Sequence, residues 1–301
     1  MEIIKKDIFK KEGEILNIYT IGDIHEGNAN HAEEELKEAV KIIKNDTNGC
    51  WIGMGDYIEA ITPSDLKRFD PTSIDEKYKI SDLKDLPYKQ MEFVYENLKP
   101  IQDKCLCLLT GNHEEAFSKH NSNNVFKHFA EMFTTSFFEI GKQPPRLGYT
   151  GFIKLRFISN TKIKKHKRGE ATNDMDNAQL GSLVIYCNHG DGGGGMREGY
   201  GINKVHDITR GIEADINLMG HVHLLDDHQQ KITGLNQNNT LRKRMKYWGL
   251  TGCFLYTYKD GNTNYFEHKG RAESPIGMLK ISIKVLHNKQ PQVTITKIQL
   301  G

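Results

Sequence analysis

Apolar and polar positions along the first half of the chain switch between two periods. Ile15–Ile21 is an apolar run of strand length, and His31–Asp46 carries Leu36, Ala39, Val40 and Ile43 at helical spacing. Cys50–Asp56 predicts a second strand that ends in a Gly-Asp turn. The mixed-charge stretch Thr62–Lys84 reads as an insertion. Tyr88–Leu98 then predicts a helix that Pro100 stops, with Met91, Phe93, Tyr95 and Leu98 as its core. Lys104–Glu114 predicts a third strand ending in a polar turn, followed by a short helix around Val125–Phe133. The second half is richer in strand patterns. Gly151–Ile158 and Ser182–Gly190 flank the polar segment Ser159–Gln179, and a helix around Ile202–Ile212 precedes the strand Asp215–His223. Tyr247–Tyr258, Gly277–Leu286 and Gln292–Gln299 complete the strand set. Strands with helical crossovers, then strand-rich sequence, predict one α/β domain of two packed sheets.

Composition narrows the class. Of the 301 residues, 37% are hydrophobic and 27% charged, the balance of a globular chain with a polar surface and enough length for a sizeable core. The formal net charge of +2 argues for no partner by itself. The five cysteines all lie in apolar strand-like stretches, and none forms a CxxC pair. They are expected as reduced, buried small hydrophobes. The first residues lack the apolar core of a signal peptide, and no run has bilayer length. The expectation is a cytoplasmic protein with no membrane partner.

The chemistry sits where the predicted strands end. Five of them stop on residues that bind divalent metals: Asp23-x-His25, Gly55-Asp56, Gly111-Asn112-His113-Glu114, Asn188-His189-Gly190 and Gly220-His221-x-His223. One such ending is ordinary turn chemistry. Five in one chain are not, because loops from sequence-distant strands converge at the carboxyl ends of α/β sheets. Mixed Asp, Asn and His donors without thiolates suit manganese, iron, zinc or nickel. Seven candidate ligands exceed one four-coordinate ion and fit two ions that share a carboxylate.

The ordered set Asp23-x-His25, Gly55-Asp56, Gly111-Asn112-His113-Glu114, His189 and Gly220-His221-x-His223 resembles the calcineurin-like metallophosphoesterase superfamily, over Asp23–His223. The resemblance implies the four-layer αββα fold, a two-sheet β-sandwich flanked by helices. It would form a single domain over 1–301, with insertions around 62–84 and 159–179. It implies one metal on Asp23, His25 and His223, a second on Asn112, His189 and His221, and Asp56 bridging them. Manganese is the ion expected, with iron, zinc, nickel or magnesium as alternatives. A hydroxide generated between the ions would attack phosphorus in line. His113 would stay unliganded and either protonate the leaving oxygen or stabilise its charge as imidazolium. Glu59, three residues after Asp56, stands where related phosphoprotein phosphatases carry an aspartate that orients this histidine. It is either that orienting acid with a longer reach or an ordinary surface carboxylate.

The substrate is less legible. Phosphoprotein phosphatases follow GDxxD with an arginine, and here Ala60 stands instead. That departure points away from protein phosphatases, and the overall pattern is more similar to the branch of exonucleases and phosphodiesterases. Two basic clusters, Lys162–Arg168 (with Lys165 and Arg168) and Arg242–Lys246 (with Arg242 and Arg244), are either phosphate-backbone contacts beside the metals or solvated loop residues. The glycine-rich stretch Gly190–Gly201 carries Arg197 and is either a phosphate cradle or a loop over the site. The expectation is a two-metal phosphodiesterase or nuclease whose partner is a phosphoester substrate, DNA or RNA among the candidates, with a homodimer left open. A phosphomonoesterase acting on nucleotides or small metabolites, and a non-catalytic interaction module, are the alternatives.

Overall fold

The protein is described from a computed structural model, which covers residues 1–301 except 66, 122, 136–141, 160–178, 193–198, 236–237, 262–266, 268–269, 271 and 287–289. One six-stranded sheet is ordered β12 (Gln292–Gln299), β11 (Gly277–Lys284), β2 (Ile15–Ile21), β3 (Gly49–Gly53), β4 (Cys105–Leu109) and β5 (Arg146–Gly148). The other is ordered β1 (Glu2–Phe9), β6 (Thr150–Ile158), β7 (Gln179–Asn188), β8 (Ile216–Met219), β10 (Leu241–Thr251) and β9 (Leu225–Leu235). Both sheets mix parallel and antiparallel pairs. The sandwich interior joins Ile18, Cys50, Ile52 and Leu106 of the first sheet to Ile153, Leu183, Ile185 and Leu218 of the second.

Alternation along each strand explains the outer layers. Ile18 faces the sandwich, while its neighbours Tyr19 and Ile21 pack outward under α1 (Glu33–Asn45), whose Leu36, Ala39 and Ile43 are buried against them. Helices α2 (Leu86–Leu98), α3 (Asn112–Asn121) and α4 (Val125–Met132) come next along the chain, and α2 and α4 cover the same face through Met91, Val94 and Phe129. On the opposite side α5 (Tyr200–Ile208) places Val205 against Met219, Trp248 and Leu250. The arrangement is the helix-flanked sandwich. All five cysteines are free and buried. Among the described residues no helix is long and apolar enough to cross a membrane.

Four elements depart from the apolar pattern. Helix α3 follows β4 where a polar turn is expected; Glu114 is its only buried residue, so it has no apolar stripe to show. Strand β9 buries only its first residue, and β10 begins six residues earlier than its apolar run. Strand β1 is a half-charged edge strand that buries Ile4 and Ile8. Phe93, expected in the helix core, is exposed. The insertion after Ala60 contains two short 3-10 turns, Pro71–Ser73 and Ile80–Asp85, and bonds to the loop that carries His25 through the Asn28–Ile74 bridge.

Candidate metal centre

Parallel pairing puts the functional loops at one end of the molecule. Strands β2, β3 and β4 run parallel in the first sheet, and β7 and β8 run parallel in the second. Their carboxyl ends therefore deliver Asp23 and His25, Asp56, Asn112 and His113, His189, and His221 and His223 to a common rim. Asp23, His25, Asp56, His221 and His223 all have φ between 48° and 65°, and only Ala60 and Asn239 share this left-handed conformation among other non-glycine residues described. Such conformations cost of order 1–3 kcal/mol each and persist only where surrounding bonds over-determine them. Here they turn the side chains of each loop inward.

Two groups of donors result. In the first, His25 Nε2 and His223 Nε2 face each other at 3.0 Å, with Asp23 Oδ1 3.5 Å from the latter. In the second, His189 Nε2 lies 3.1 Å from Asp56 Oδ2 and 3.0 Å from Asn112 Oδ1, and His221 completes a trio with Asp56 and His189. Asp56 Oδ2 is also 3.8 Å from His25 Nε2, so one carboxylate oxygen stands between the groups. The backbone N–H of His221 donates to both Asp23 oxygens, at 2.9 and 3.1 Å, and cross-links the two sheets.

The donor set fits divalent ions. Glu59 Oε2 sits 3.0 Å from His25 Nδ1, and the Met54 carbonyl 2.8 Å from His189 Nδ1. Acceptors on Nδ1 hold a proton there and aim Nε2 into the site, as they do for metal-bound imidazoles. His25 Nε2 and His223 Nε2, 3.0 Å apart, are close enough for one cation to take both nitrogens. Burial opposes the negative charge of Asp56, but His189, His113 and His25 hold its carboxyl well below the usual range. Burial likewise opposes the charge of Glu59, and His113 and His25 outweigh it, bringing its pKa down to about 2. Both carboxylates thus stay ionised at neutral pH and are available to a cation.

His113 lies beside both groups. Its backbone N–H donates to Asp56 Oδ1 at 2.9 Å, its ring stands edge-on to His25 with centroids 4.7 Å apart, and its side chain is partly exposed. The structure alters how Glu59 serves it. The Glu59 carbonyl oxygen accepts from His113 Nδ1 at 2.6 Å, whereas the Glu59 carboxylate bonds His25 and stays 3.9 Å from His113. Arg197, Lys165 and Arg168 lie outside the described residues. Arg242 and Arg244 are described and lie away from the donor groups. They sit toward the start of β10, whose other end, at Thr251, adjoins the site; at about 3.3 Å per strand residue, they stand roughly 30 and 23 Å along the strand from it.

Glu114 closes the Asn112-His113-Glu114 run without a role of its own in the sequence reading, and the structure makes it a positioning residue. Its buried carboxylate accepts from four backbone N–H groups, those of Tyr57 (2.6 Å), Gly111 (2.8 Å), Asp56 (3.1 Å) and Ile58 (3.2 Å). It locks the β3 and β4 loops together and holds Asp56 in its left-handed turn. Its only sequence signal is an acid directly after Asn-His. Two glycines make the approach feasible: a Cβ on Gly111 would lie 2.0 Å from Asp56 Oδ1, and one on Gly55 would lie 2.7 Å from His189 Nδ1.

Several solved structures match this chain at low identity. Vps29 from Entamoeba histolytica, in a structure with zinc, matches at 10% identity over 94% of this chain and 99% of its own, with a TM-score of 0.35. A predicted phosphoesterase from Streptococcus pneumoniae matches at 10% identity over 94% and 99%, with a TM-score of 0.31. The NAD nucleotidase of Haemophilus influenzae matches at 9% identity over 95% of this chain and 50% of its own, with a TM-score of 0.38. No curated protein sequence matches. The family model for calcineurin-like phosphoesterases matches residues 16–225, which span every ligand loop described above, and the chain belongs to that family.

Proposed function

We propose that this protein is a two-metal phosphoester hydrolase that acts on phosphodiesters, with nucleic acid as the substrate class. The observation that carries the two-metal reading is the position of Asp56 Oδ2, 3.1 Å from His189 Nε2 and 3.8 Å from His25 Nε2. Asp23, His25 and His223 would hold one ion, Asn112, His189 and His221 the other, and Asp56 both. Manganese suits this nitrogen and oxygen donor set. When bound, such a pair of ions lowers the pKa of water toward neutrality and offsets charge on phosphoryl oxygens.

The remaining work falls to the chain. With Nδ1–H donated to the Glu59 carbonyl, His113 presents Nε2 to substrate and, as the imidazolium, can pass its Nε2 proton to the leaving oxygen. Glu59 keeps the His25 ring in place through Nδ1. Ala60, buried and capped by Gln90 Oε1 at 2.9 Å, puts no cation where a dianionic phosphate would need one, which favours a diester over a monoester. The test is hydrolysis of bis-p-nitrophenyl phosphate against p-nitrophenyl phosphate by manganese-loaded protein. A higher kcat/KM for the diester is expected; a preference for the monoester would reverse the assignment.

A further inference from the structure

Strands β9 and β10 form a ribbon that outgrows the domain. The pairs from Trp248–His228 to Thr251–Leu225 belong to the body, and Trp248 and Leu250 pack under α5. Beyond Met245 the ribbon covers no core. Thr233, Gly234 and Leu235 are exposed on one strand, and Leu241, Arg242 and Lys243 on the other. Consecutive strand residues point to opposite faces, so both faces of the ribbon meet solvent. Its last pair, Leu235 and Leu241, is 66% and 69% exposed. Burial of its own surface does not account for this arm.

Its composition is one-sided. From Gln229 to Lys246 the chain carries five Lys or Arg residues and no Asp or Glu, and most of the rest are Gln, Asn and Thr. The cations divide between the faces by register. Arg242 and Arg244 fall on one face, and Lys243 falls on the other together with Lys231, the cross-strand partner of Met245. Arg244 reaches Glu213 of the body at 3.3 Å, and Lys246 is buried at the root, donating to the Ile212 carbonyl. At that root a cavity of about 310 Å³ is lined by His206, Asp207, Thr209, Arg210, Lys246 and Trp248, which continues the basic face onto the body.

We infer that this arm is a docking element for double-stranded nucleic acid, an inference that rests on the phosphodiesterase reading above. A flat polyanion site needs cations on one face. A two-stranded ribbon with cations on both faces matches a duplex groove, which admits such a ribbon and presents phosphates on both walls. The arm would therefore anchor a duplex well away from the metal centre, at the opposite end of the second sheet.

The test is binding of a fluorescein-labelled DNA duplex to the full chain in excess chelator, so that no cleavage intervenes, over a range of salt. The triple variant Arg242→Ser, Lys243→Ser, Arg244→Ser is expected to bind at least about 10-fold more weakly, with a salt slope shallower by about 2 to 3. The charge-keeping variant Arg242→Lys, Lys243→Arg, Arg244→Lys should bind nearly as the wild type does, and unchanged melting temperatures show that both fold. Unchanged affinity and slope in the serine variant would overturn the proposal. So would loss of a wild-type dimer in sedimentation, which would assign the arm to a second copy of the chain. Hydrolysis of bis-p-nitrophenyl phosphate by the wild type reports on the catalytic reading separately, because duplex binding in chelator needs no chemistry.

Discussion

The Glu59 carboxylate holds His25 through Nδ1 at 3.0 Å, while the carbonyl oxygen of the same residue holds His113. One residue thus positions a proposed ligand with its side chain and a proposed acid with its backbone. Glu59→Ala removes only the first contact. Metal affinity is expected to fall about 10- to 100-fold, the usual cost of losing such a partner. Isothermal titration with manganese measures it, and an unchanged affinity would leave the carboxylate without a role at His25.

His113→Ala tests the acid. Both ions should remain, because His113 Nε2 belongs to neither proposed ligand set, while turnover should fall about 10²- to 10⁴-fold. The defect should shrink as the leaving group becomes a weaker base and needs less protonation. Loss of metal along with activity would move His113 among the ligands.

Glu114→Gln keeps the shape of a buried side chain but turns an NH₂ group toward backbone donors that the carboxylate satisfied. Leaving buried donors unsatisfied costs about 1–3 kcal/mol. The melting temperature should drop by several degrees and manganese affinity should weaken with it. A melting curve that coincides with the wild type would mean that the four amides find other acceptors.

Metal uptake should be coupled to protons. Burial pushes the His189 pKa down, but the Asp56 carboxylate outweighs it and brings the value up to about 10. His189 is thus protonated below that pH and must lose its proton to bind an ion through Nε2. Affinity should therefore rise with pH toward about 10, and binding at neutral pH should release about one proton from this group. Titration calorimetry in buffers of different ionisation enthalpy counts the protons; no net release would mean that His189 is not a ligand.

The sandwich and the metal rim were legible because both depend on short-range signals. Strand β2 falls where the apolar run Ile15–Ile21 places it, and Asp23 and His25 follow at its end. Strand alternation likewise predicts the two layers that Ile18 and Tyr19 enter. Helix α3 was hidden because its stabilising contact is a buried carboxylate rather than an apolar stripe. Strand β9 was hidden because most of it buries nothing, and without it the Arg242–Lys246 cluster reads as a loop beside the metals. Pairing of β9 with β10 carries that cluster to the other end of the sheet. Which atom of Glu59 meets which histidine depends on backbone turns that no residue pattern encodes.

The central claim is that Asp56 joins two ions that act together. Metal-stripped protein titrated with manganese, with bound metal and bis-p-nitrophenyl phosphate turnover measured at each step, tests it most directly. Two ions per chain are expected, with activity rising as the second equivalent binds, and Asp56→Asn should lose at least one ion and most of the turnover. Full activity at one equivalent, or an Asp56→Asn protein that keeps both ions and wild-type turnover, would contradict it.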